Sequence, residues 1–91
     1  MTTRKYRISY DLKSPGRDYE PVYDYLNGFA NTRPLESVWI VKSTKTATTI
    51  RDEIKALTDS SDALFVVDIT GKAWAALRVG TAAAWLKAPL D

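Results

Sequence analysis

Two stretches of this chain, VWIVKS at residues 38–43 and ALFVVDI at residues 63–69, carry apolar side chains at consecutive positions. Side chains of an extended strand alternate between the two faces of a sheet, so each stretch presents apolar surface to both. In the first, Val38 and Ile40 point one way and Trp39 and Val41 the other; in the second, Leu64 and Val66 oppose Phe65, Val67 and Ile69. A sheet built from these strands needs cover on both faces. Burying one such side chain stabilises by roughly 1.5–3 kcal/mol, so leaving three or four wet costs about 5 kcal/mol or more, comparable with a small domain's whole stability.

The first strand is simpler. YRISYDL, residues 6–12, puts Tyr6, Ile8, Tyr10 and Leu12 on one side and Arg7, Ser9 and Asp11 on the other, the pattern of a strand with one dry face. Pro15 and Gly16 break it. From Asp18 the apolar spacing becomes helical, with Tyr19, Val22, Tyr23, Leu26 and then Phe29 or Ala30; Pro21 sits in the first turn, where its missing N–H costs little. TRPLES contains Pro34, which restricts a strand there to a sheet edge. Residues 46–58 resume a helical rhythm through Ala47, Ile50, Ile54 and Leu57, preceded by threonines suited to N-capping. Beyond Gly71, AWAALRV fits either a short strand or a helical turn, and TAAAWLKA predicts a short helix with Thr81 at its N-cap.

The resulting order, strand, helix, strand, strand, helix, strand, predicts an α+β domain over residues 1–91: a ferredoxin-like βαββαβ plait in residues 4–70, then a C-terminal extension, 71–91. Both helices would lie on one face of an antiparallel sheet. Its second face would then expose Trp39 and Val41 with Phe65 and Val67, and two covers are open: a twofold-related copy, making these four a homodimer interface, or the chain's own tail through Trp74, Leu77, Trp85 and Leu86.

The longest apolar runs are five residues, against roughly 18–20 for a bilayer span, so no membrane association is expected. The basic start lacks an apolar block of signal-peptide length, and the expectation is an uncleaved cytoplasmic protein. With neither Cys nor His, the chain has no thiolate nucleophile, no zinc-thiolate site and no side chain of unperturbed near-neutral pKa, so hydrolysis would need a shifted carboxylate or tyrosine, or a metal-activated water. Net charge is +2, with eight Lys or Arg against five Asp or Glu in residues 1–45 and five against six thereafter. That balance permits phosphate binding without demanding it.

YRISYDL, a first strand ending in Asp, then an amphipathic helix and LESVWIV leading into a strand, together resemble the small CRISPR-associated Cas-two family and its stand-alone relatives over about residues 4–70. The resemblance implies a ferredoxin-like homodimer with facing sheets. Asp11 would be the metal ligand, two copies meeting across the twofold axis near a scissile phosphate, with Mg²⁺ or Mn²⁺ as cofactor in nuclease members; other members bridge DNA without cleaving it. The Ala- and Trp-rich sequence after residue 70 departs from the family, which favours a stand-alone relative over an integrase partner.

Asp11 thus has two roles open to it, catalytic metal ligand or cap of the DLKSPG turn. Arg7, Lys13, Arg17, Arg33 and Lys42 form either one phosphate-binding rim or scattered surface charge. Tyr6, Tyr10, Tyr19 and Tyr23 lie on apolar stripes and are expected in the core, with Tyr25 off-stripe. The reading is a homodimer that binds duplex DNA, RNA or another protein. Its alternatives are a metal-dependent endonuclease using paired Asp11, toxin-like ribonucleases included, and a protein-binding module of a mobile element.

Overall fold

The computed structural model describes residues 2–13, 16 and 18–88. In chain order they form β1 (Arg4–Asp11), α1 (Glu20–Asn27), β2 (Ala30–Leu35), β3 (Val38–Ser43), α2 (Ala47–Lys55), β4 (Ala63–Asp68) and α3 (Ala82–Lys87). The four strands make one sheet in the order β2-β3-β1-β4 with every neighbouring pair antiparallel, so the architecture is mixed α+β. Among the described residues no helix is long and apolar enough to cross a membrane.

Local chemistry accounts for the boundaries. Pro21 occupies the first turn of α1, and Glu20 N–H donates to Asp18 Oδ1 at 3.0 Å. Thr46 caps α2, its Oγ1 accepting from Thr49 N–H at 3.1 Å. Pro34 falls in β2, an outer strand, where the register against β3 shifts between Thr32 and Leu35; a proline is tolerated there because an edge strand has one side without ladder bonds. Thr81 holds the N-cap position of α3 but makes no side-chain cap bond. Residues 73–79 adopt neither strand nor helix.

Cross-strand register fixes which side chains share a face. Ile8 opposes Trp39 and Tyr6 opposes Val41 on one side of β1, while Ile8 also opposes Val66 across the other. These residues close on Val22 and Leu26 of α1 and Ile50 and Ile54 of α2, forming the main core. Both helices therefore cover the face bearing Trp39 and Val41, which are 3% and 0% exposed. This corrects the expectation that Trp39 and Val41 emerge on the second face as interface residues: the set on that face is Val38 and Ile40, because Ile40 opposes Arg7, on the polar side of β1. Phe65 and Val67 do lie on the second face, opposite Ser9 and Arg7.

The tail covers part of that second face. Leu86 and Ala82 of α3 are buried, as is Ile40. The helix is tied down at its end by Lys5 Nζ donating to the Leu86 carbonyl at 3.2 Å, and Lys42 Nζ stands 4.6 Å from the Trp85 ring. On the β4 side the described residues leave Phe65 65% exposed.

Candidate functional site

Strand alternation carries Arg7, Ser9 and Asp11 along the second face of β1, with Phe65 and Val67 beside them on β4. Asp11 ends β1 opposite Ala63; its side chain is 69% exposed and pairs with Lys13 Nζ at 3.6 Å. It borders two grooves. One, of about 420 Å³, is shared with Ser9, Ala63 and Phe65; the other, of about 320 Å³, with Tyr10, Tyr23, Arg33 and Ser37.

The loop after β1 is organised by a different carboxylate. Asp62 accepts from Lys13 N–H at 2.7 Å, from Asp59 N–H at 2.8 Å and from the Tyr19 hydroxyl at 2.7 Å, stitching the loop to the start of β4 and to the entry of α1. The sequence marks DSSD only as polar loop; nothing local in it signals a partner 49 residues away. Among the described residues no group of three or more Asp, Glu, His or Cys could hold a metal ion. One exposed carboxylate does not make a Mg²⁺ site within a single chain, since Mg²⁺ takes its protein ligands from one or two carboxylates with substrate phosphate; the donor set becomes adequate only where a second chain or a nucleic acid completes it.

Of the five cations expected on one rim, the four among the described residues are divided between surfaces. Arg7 and Lys42 lie on the second face, where Lys42 is beneath α3. Arg33 turns to the helix side, its guanidinium 5.1 Å from the Tyr23 ring and 5.0 Å from the Trp39 ring, with Nε donating to the Glu36 carbonyl at 2.8 Å. Lys13 stays with Asp11, and Arg17 lies outside the described residues. Arg33 is thus a correction to the rim: the tip of the β2–β3 hairpin, Trp39 and Tyr10 hold it in place, the Tyr10 hydroxyl accepting from Trp39 Nε1 at 3.0 Å and from Arg33 at 3.3 Å.

The tyrosines serve packing, as their stripes implied. Tyr6 is buried and donates to the Lys45 carbonyl at 2.7 Å; burial pushes its pKa up. Tyr25, the off-stripe residue, donates to Glu53 Oε1 at 2.5 Å, and Lys45 Nζ reaches the same oxygen at 2.6 Å. Desolvation first, then the Glu53 hydrogen bond, raises the Tyr25 pKa, while Lys45 and then Tyr25 hold Glu53 below the ordinary carboxylate range. Asp68 is held at about 2, chiefly by the Thr70 N–H at 2.9 Å and also by Arg4 Nε at 2.8 Å. These clusters brace helix to helix and strand to strand.

No protein-family model matches this chain, and no solved structure matches it.

Proposed function

We propose that this chain is a ferredoxin-like binding module of the Cas-two-like kind, acting as a homodimer joined through the β1–β4 half of its second sheet face and binding nucleic acid. The strand order β2-β3-β1-β4, with α1 and α2 on one face, supports the plait. The observation that carries the assembly is Phe65, 65% exposed beside Val67 and Ser9 on a sheet face that the tail covers only on its other half. A large aromatic in that position gains burial when a twofold copy stacks on it. Two copies would also double Arg7, whose exposed guanidinium is suited to phosphate rather than to base edges.

Light scattering at micromolar concentration tests the assembly: the parent is expected at twice the chain mass and Phe65→Glu at the chain mass, with both folded. A monomeric parent overturns the dimer. Retention on duplex DNA is expected to fall steeply as salt rises, because phosphate contacts release counterions. No retention at low salt would redirect the reading to a protein partner.

A second reading rests on Asp11 sharing the second face with Ser9 and Phe65. A twofold contact there would bring two exposed carboxylates to one surface, where Mg²⁺ or Mn²⁺ could be held and would supply an activated water. On this reading Asp11→Ala abolishes Mg²⁺- or Mn²⁺-dependent cleavage of DNA or RNA while leaving the assembled mass unchanged. Equal cleavage by variant and parent overturns it.

A further inference from the structure

Between the second sheet face and the C-terminal segment lies a chamber of about 670 Å³, within the roughly 300–1,000 Å³ range of small-molecule sites. Val38, Ile40 and Leu35 form its sheet side, and Trp74, Leu77 and Val79 its tail side. Lys5, Arg7 and Lys72 also line it, and among the described lining residues none is acidic. Lys5 and Arg7 are oriented by neutral acceptors. The Lys5 ammonium is held by the Leu86 carbonyl, and Arg7 Nε by Ser9 Oγ at 3.0 Å. Among the described residues the ion pairs are made by other cations, Arg4, Lys13, Lys45 and Arg51.

We infer that this chamber binds a small molecule with an apolar body and one anionic head, a carboxylate of acyl or aryl type, its head against Arg7 and Lys5 and its body between Leu35 and Leu77. Charge complementarity selects the head. Arg7 is exposed and Lys5 half-buried where they border the apolar walls, and a carboxylate pairs with them through charge-assisted hydrogen bonds that leave the terminal guanidinium nitrogens of Arg7 in their preferred paired geometry. The body is selected by the walls: Leu77 and Leu35 are 73% and 56% exposed without an occupant, and an alkyl or aryl group entering the chamber removes that apolar area from water. The inference goes beyond the dimeric binding module and does not depend on it, since Phe65 does not line the chamber.

Calorimetric titration of the full chain with decanoate, decan-1-ol and decyltrimethylammonium tests it. Decanoate is expected to saturate at one site per chain and bind at least about tenfold more tightly than the alcohol, the equivalent of one charge-assisted hydrogen bond, with the ammonium weaker still. Arg7→Gln and Lys5→Gln should each weaken decanoate about tenfold, Arg7→Gln without lowering the melting temperature, and Phe65→Glu should leave its affinity unchanged whether or not the assembled mass changes. Equal affinity for decanoate and decanol, undiminished binding by both charge variants, absence of a saturable site, or loss of binding in Phe65→Glu would each overturn the inference.

Discussion

Asp68 shows how much of this fold's polar chemistry is structural. Its carboxylate is held at about 2 against an ordinary 3.8, so it is charged in the folded chain at acidities where the unfolded chain would protonate it. The contribution is therefore fully present above about pH 4 and is lost as the pH falls through the folded value. With a side chain 35% exposed, solvent screening reduces the contribution to roughly 1 kcal/mol. Urea unfolding at pH 7, 4, 3 and 2 should show parent and Asp68→Asn diverging at pH 7 and converging near pH 2. A constant gap would assign the carboxylate no linkage. Asp62 is the larger prop. Asp62→Ala leaves two backbone N–H groups and the Tyr19 hydroxyl without this acceptor, and a loss of about 2 kcal/mol in denaturant unfolding is expected.

At the scale of elements, β3 is the informative strand. Its alternation is plain in the sequence, and so is its pairing of Trp39 with Val41; which set meets the helices is not, because both sets are apolar and burial cannot rank them. The deciding signal is Lys42, which shares a side with Val38 and Ile40 and marks the wetter face. Trp39→Ala is expected to cost about 3–5 kcal/mol by creating a core cavity, whereas Phe65→Ala should cost under about 1 kcal/mol in the dissociated chain. Reversed magnitudes in denaturant titration would restore the opposite facing. Pro34 at the edge, Pro21 in the first turn and a threonine cap for α2 were legible because each acts through its own backbone; which of Thr44, Thr46, Thr48 and Thr49 caps was not. Arg33 was not, since its stacking depends on Tyr23 and Trp39 arriving from two other elements. AWAALRV fits either a strand or a helical turn in the sequence and forms neither: residues 73–78 are exposed, and Arg78 takes a left-handed φ of 57°.

For the whole molecule, the tail decides how the sheet meets its surroundings. Leu86→Asp places a charge where α3 is buried against the sheet and should unseat the helix, lowering the melting temperature by several degrees and raising the fluorescence of an added apolar dye. An unchanged melt would mean that α3 contributes nothing to stability. The candidate site was legible in part: Asp11 at a strand end follows from the alternation of β1, whereas the facing of Phe65 and Val67 is fixed by their register against Ser9 and Arg7, both sets of β4 being apolar. Division of that side between tail and solvent depends on contacts more than 80 residues apart, such as Lys5 with Leu86, and no local pattern encodes them.

The two rims of the sheet are unequal. β2 carries a proline and a broken register, which spoil it as a template for another strand, whereas β4 is a regular six-residue run at the opposite border. One competent border per molecule means that any edge-to-edge joining of copies is used up once two have met, so such growth ends at a closed pair and cannot extend into a fibre.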